Sequence, residues 1–272
     1  MSTAAAAPRL VTAPPVRSLV PVLARQEARR LMLHPITLIG FALYLIILLE
    51  SGVLSEDGPR AAFETTTTLL TFFPGVLLIL SANLVATRDR RADADELLAP
   101  LPGRAEERFK ALALAALAPA GAALVPALAL HASYLADDRY VVAPTVWHLL
   151  AGPVTLVGAC LFGILLGLWV PARGAAVVGL VAMVVANAWL DNQSSGQLLG
   201  LATTWAAWGP TADQWAGLVP GSAAWHLGYL VSLCALAVAA AWVRVADRRT
   251  PPVVLGLVAL TAAVLTGTMQ WP

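Results

Sequence analysis

Trp147-His148-Leu149-Leu150-Ala151-Gly152-Pro153-Val154-Thr155-Leu156-Val157-Gly158-Ala159-Cys160-Leu161-Phe162-Gly163-Ile164-Leu165-Leu166-Gly167-Leu168-Trp169 contains no charged residue. An α-helix needs about 20 mostly apolar residues to cross the hydrocarbon core of a bilayer, which is about 30 Å thick. The stretch therefore reads as a spanning helix. Six more runs of this kind flank it, at about 36–54, 66–86, 111–135, 174–190, 223–243 and 252–270. Glu50 lies near the end of the first, and Asn187 and Asp191 close the short run at 174–190. The expected fold class is all-α: a polytopic transmembrane helical bundle of about seven spans.

Composition points the same way. Of 272 residues, 59% are hydrophobic and 12% charged, half the charge of a typical soluble domain, at about 25%. Most of the chain is thus suited to a solvent other than water. The net charge of +1 gives no reason to expect a nucleic-acid partner; the expected surroundings are the lipid bilayer. Cys160 and Cys234 both fall inside apolar runs and read as small buried hydrophobes, not as a disulfide framework.

Arg and Lys set the orientation of a polytopic protein. With a cytosolic N-terminus, fifteen of the seventeen basic residues fall on the inside and only Arg60 and Arg139 outside. The C-terminus is then extracellular. Met1 to Val16 is rich in Ala and Pro and lacks the basic start and apolar core of a signal peptide; a disordered cytosolic tail over 1–16 is expected. The segment 191–222 is apolar in patches but broken by Gly209-Pro210 and Pro220-Gly221. It reads as an extracellular re-entrant or interfacial segment, with Trp at headgroup depth.

Residues 17–34 precede the first span. On a helix, Arg25, Gln26, Arg29 and Arg30 share one arc, and Val20, Leu23, Ala24, Ala28 and Leu31 the opposite one. Glu27 falls inside the apolar arc and interrupts it. A basic amphipathic helix of this kind lies in the membrane plane. His34-Pro35 ends it, with Pro well placed to start the next helix.

The loop 87–110 carries Arg88-Asp89-Arg90-Arg91, then Asp93, Asp95 and Glu96, then Leu97-Leu98, a Pro100-Leu101-Pro102-Gly103 stop and Arg104, before a second charged stretch runs into the third span. The acidic residues suit a helix N-terminus. An exposed Leu-Leu pair on a short charged helix suits docking to a partner protein. Asp93, Asp95 and Glu96 lack the further ligands a metal ion needs.

This arrangement resembles the permease subunits of type-two ABC exporters. In that family an amphipathic elbow helix leads into the first of six spans, and the loop after span two carries the coupling helix. Arg25, Glu27, Arg29 and Arg30 before His34-Pro35 are similar to the elbow's opening. Glu96-Leu97-Leu98 with Pro100 and Arg104 is similar to the coupling helix, with Ala92-Asp93-Ala94-Asp95 where the family has Gly-Thr. Trp225 to Leu230 resembles the start of the last family span. The resemblance covers about 17–246. It implies a six-span domain over 35–250, an additional C-terminal helix over 251–272 of the kind that actinobacterial-looking members often carry, and location in a bacterial plasma membrane. It also implies a cytosolic ABC ATPase subunit docked on Asp93, Asp95, Glu96, Leu97, Leu98, Pro100 and Arg104, and a second permease copy. The chain itself lacks a phosphate-binding loop, since that motif ends in Gly-Lys-Ser/Thr and the single lysine, Lys110, follows Phe109. ATP and Mg are thus expected on the partner, and no cofactor or enzymatic activity in this chain. Neither a His-Glu-x-x-His zinc motif nor a Gly-x-Ser-x-Gly elbow occurs.

Polar groups within spans are candidates for a transport pathway, here Asn83 and Asn187; hydrogen bonding between helices is the competing reading. Gly158, Gly163 and Gly167 are spaced for close helix packing. The expected activity is ATP-driven export of amphipathic small molecules such as a drug, a natural product or a lipid. The alternative is an ATP-independent membrane protein, a secondary transporter or a membrane anchor for a partner complex. A secondary transporter calls for a carboxylate at mid-membrane depth, and Glu50 and Asp191 both lie near span ends.

Overall fold

Helix α7, Val146–Trp169, is the axis about which the other helices gather in the computed structural model. The structure describes residues 19–50, 62–63, 65–66, 71–92, 105–170, 172, 174–191 and 222–269. The tail 1–16 and residues 192–221 of the re-entrant or interfacial segment lie outside the described residues. The described residues are all helix and connection, without strands. The helices are α1 (Val20–Met32), α2 (Pro35–Leu48), α3 (Val76–Ala86, led by a π-helical turn Thr71–Gly75) and α4 (Arg88–Arg91). After them come α5 (Ala105–Ala115), α6 (Leu117–Ala136), α7, α8 (Ala175–Asp191), α9 (Ala223–Val245) and α10 (Thr250–Met269).

Four helices are long and apolar enough to cross a membrane: the continuous α5–α6, α7, α9 and α10. They become five if α1 and α2, bent by 60° at their junction, count as one broken span. Of the expected run at 36–54, α2 covers the part up to Leu48 and 51–54 lies outside the described residues. The run at 174–190 is the seventeen-residue α8. Outward-facing side chains such as Val125 (69% exposed) and Val178 (70%) are apolar, the reverse of a water-facing surface and compatible with embedding in lipid.

Two devices position the ends of the bundle. The first is the bend after α1. The Nδ1 of His34 accepts a hydrogen bond from the Ile36 amide at 3.3 Å, capping α2, and Pro35 takes the first helical position where its missing N–H costs nothing. Half-burial of the imidazole lowers the pKa of His34, so it stays in the neutral form that can accept. The second is the absence of a break between α5 and α6. The chain tightens locally at Ala116, where its amide bonds Ala113 at 3.3 Å, and continues to Ala136. The charged stretch Glu106-Glu107-Arg108 is therefore the first turn of the same rod that is long and apolar enough to cross a membrane.

Helices α3 and α7 cross at backbone contact. A Cβ built on Gly163 would lie 2.4 Å from the Ile79 carbonyl oxygen, and one on Gly167 would lie 3.0 Å from the Thr87 methyl. Only glycine fits at 163, the close approach that small residues permit between membrane helices. Thr37 donates to Ser81 at 2.9 Å and ties α2 to α3. Helix α10 packs mainly on α9, with Gly228 set against Thr266, and leaves Leu257, Val258 and Leu265 exposed. The expected additional C-terminal helix is thus peripheral to the bundle.

Candidate functional site

The candidate site is the basic end of the bundle, where α1, the α3–α4 junction, the start of α5 and the α9–α10 connection meet. Its centre is Glu27. The Nη1 and Nη2 of Arg88 donate to the two oxygens of Glu27 at 2.6 and 2.8 Å. Arg30, one turn on in α1, donates to Oε1 at 2.9 Å. The paired, two-point geometry is the strongest that a guanidinium and a carboxylate form. The Glu27 side chain is 9% exposed and that of Arg88 37%, so the pair sits half-immersed. The carboxylate hydrogen bond raises the pKa of Arg88 above its already high value, and its charge is permanent. Asp89 accepts from Arg88 Nε at 3.0 Å and completes the cluster.

The residue that interrupts the apolar arc of α1 is therefore the one that anchors it. Leu23, Ala24 and Ala28 of that arc are half-buried and Leu31 is buried, and α1 packs along α5, with Leu31 and Phe109 among the core residues. Arg25 and Arg29 are exposed on the opposite face, as the arcs predict.

A second clasp holds the other side of α5. Glu106 pairs with Lys110 one turn on, and its other oxygen accepts from the Asp247 amide at 3.4 Å. The Lys110 ammonium lies 5.0 Å from the ring centroid of Trp242 in α9, within cation–π range. The hydrogen bond from Lys110 lowers the pKa of Glu106. The Trp169 indole donates to the Ala240 carbonyl at 2.9 Å and joins α7 to α9 on this side.

The two clasps grip both feet of one loop. Residues 93–104 run from the end of α4 to the start of α5. They include Asp93, Asp95, Glu96, Leu97, Leu98, Pro100 and Arg104, and lie outside the described residues. The upstream foot is held through Arg88 and the downstream foot through α1 and Lys110.

The two pathway candidates differ. Asn83 is buried in α3 and its amide donates to the Gly163 carbonyl at 3.2 Å; it hydrogen-bonds between helices at the glycine crossing. Asn187 lies in α8, and its side chain is outside the described residues. Arg88, Glu106 and Lys110 stood in the sequence as ordinary loop charges. The readable signal was the misplaced Glu27, since a carboxylate on an apolar arc needs a buried cation.

The opposite end carries a network of hydroxyls, imidazoles and rings. Tyr140 Oη donates to Thr66 Oγ1 at 3.4 Å and lies 3.2 Å from His131 Nδ1. Tyr134 meets Tyr140 edge to face, with ring centroids 5.8 Å apart, and Arg139 caps the Tyr134 ring at 4.5 Å. His148 Nδ1 accepts the Thr145 amide at 3.1 Å and starts α7. Cys160 and Cys234 are free thiols. Among the described residues no cluster of His, Cys, Asp or Glu could hold a metal ion.

Comparison of the chain with protein-family models, with curated proteins and with solved structures found no match.

Proposed function

We propose that this chain is the membrane-spanning permease subunit of an ATP-driven ABC exporter, powered by a separate cytosolic ATPase that docks on the loop 93–104. One observation carries the reading. The segment that resembles a coupling helix is mounted between two feet, and an N-terminal helix is fastened to both, by the Glu27–Arg88 pair upstream and by packing on α5 downstream. A loop that receives force from a partner needs rigid feet, or the force dissipates in the loop. Here the downstream foot is the first turn of a helix that runs unbroken from Ala105 to Ala136. Displacement of the loop would tilt that whole rod.

In this reading the chain has seven spans and an inside N-terminus, with the basic end facing the cytosol. It works with a second permease copy and two ATPases in a bacterial plasma membrane, ATP and Mg being bound by the partner. The apolar walls suit amphipathic substrates. The test is a pull-down from native membranes in mild detergent, comparing the wild type with Leu97→Asp/Leu98→Asp. An ATPase bearing a phosphate-binding loop should co-purify with the wild type and be lost with the variant. Recovery of no such ATPase with the wild type would overturn the reading in favour of an ATP-independent transporter or anchor.

A further inference from the structure

Beside the Glu27–Arg88 pair lies a cavity of about 460 Å³. We propose that it binds the phosphate headgroup of an anionic phospholipid drawn from the leaflet at the basic end. The proposal needs only that the bundle sits in a bilayer, and it stands apart from the transport reading.

Charge is the first reason. Four cations line the cavity, Arg30, Arg88, Arg90 and Arg108, against two acids, Glu27 and Asp89. Both acids are already engaged: Glu27 takes three hydrogen bonds from Arg88 and Arg30, and Asp89 takes one from Arg88. Arg108, partly buried on α5, has no acidic partner among the described residues. Among the described residues, Arg108 thus leaves the lining with positive charge beside apolar walls, where screening by water is weak. A phosphate offers the acceptors that guanidinium forks match in two-point geometry.

The remaining walls are the second reason. Apolar side chains from four helices share the lining, among them Leu23 of α1, Phe109 and Leu112 of α5, Leu168 of α7 and Val245 of α9. A free inorganic anion has no use for them, whereas the glycerol backbone and first methylenes of a lipid do. The volume lies within the range of small-molecule sites, enough for a headgroup and the upper part of its chains. Basic pockets between membrane helices are suited to such headgroups. A neutral lipid would leave the extra guanidinium uncompensated.

The experiment uses the full chain, purified in mild detergent and stripped of lipid. Native mass spectrometry follows retention of phosphatidylglycerol and of phosphatidylcholine, with inorganic phosphate as competitor. Phosphatidylglycerol should be retained in preference. Arg108→Gln should weaken its binding about fivefold, the value of one near-surface charge, while Arg108→Lys keeps most of it. Arg25→Gln, on the exposed face of α1, should change nothing. Because Arg108 has no acid partner to lose among the described residues, its variants should melt like the wild type, and a matching melting temperature checks this. Equal retention of the two lipids, or binding indifferent to Arg108→Gln, would overturn the site and leave the cationic lining to a protein segment. Displacement by inorganic phosphate would overturn the lipid in favour of a free anion.

Discussion

The two ends of this bundle are tied by different chemistry. At the basic end, full charges join elements far apart in sequence: Glu27 meets Arg88, Glu106 meets the Asp247 amide and Lys110 lies over the Trp242 ring. At the opposite end, hydroxyls, imidazoles and rings do the joining through Tyr140, Thr66, His131 and Tyr134, with Arg139 stacked on the Tyr134 ring. Between them lies the glycine crossing of α3 and α7. The difference teaches where each kind of tie works. An ion pair is strong when one partner is desolvated and the other still reaches water, as with Glu27 and Arg88. It can be loosened by ionic strength. A neutral network has no such lever.

The sharpest way to break the comparison is to remove what both ends share. Gly163→Ala places a methyl against the Ile79 carbonyl and should cost about 3 kcal/mol, lowering the melting temperature in detergent. Crosslinking yields between introduced cysteine pairs should fall at both ends. Retained crosslinking at either end would mean that the ends are independent of the crossing.

Next in size is Glu27→Ala. Breaking a fully buried pair costs about 3–5 kcal/mol, but Arg88 is 37% exposed, and screening should bring the loss to about 2 kcal/mol. The penalty should shrink with added salt. The charge swap Glu27→Arg/Arg88→Glu should recover part of it in a double-mutant cycle. A loss that ignores salt would mean that Glu27 acts by packing alone.

Tyr140→Phe removes the hydroxyl bonds of the other end and should cost about 0.6 kcal/mol, the average for a hydrogen bond between membrane helices. This loss should be independent of salt. If it tracked ionic strength instead, the contrast between the ends would fail.

The smallest effect belongs to Glu106. Its pKa is lowered in the folded state, so its contribution is present above the unfolded carboxylate value of about 4.3. It is lost as pH falls through the lower native value. Glu106→Gln should flatten the acid side of the stability–pH profile slightly and lower stability at neutral pH only a little, because its partner Lys110 is 44% exposed and water screens the pair. A large change at neutral pH would show that the second clasp carries more than its exposure suggests.

Much of the architecture was legible. The apolar runs at 111–135, 147–169, 223–243 and 252–270 became α6, α7, α9 and α10 within a few residues. Spanning helices announce themselves because every backbone polar group must be satisfied within the segment. The bend at His34-Pro35 was equally readable, since proline starts helices and does not continue them. The apolar arc of α1 was legible, but not that it packs along α5. Glu27 read as a flaw because its partner lies 61 residues on. The close approach at Gly163 was foreseen as packing, but not which helix supplies the opposing carbonyl.

Sequence by itself determined the helical class, the apolar helices long enough to cross a membrane and the bend before α2. Each follows from local chemistry: hydrophobic length and proline geometry. Only the tertiary structure decided that Glu27 meets Arg88, that Asn83 reaches Gly163 and that Lys110 lies over Trp242. Those are contacts between residues distant in the chain, and no local property of either partner names the other. Pairing is fixed by which helix faces which, and that depends on the packing of the whole bundle at once.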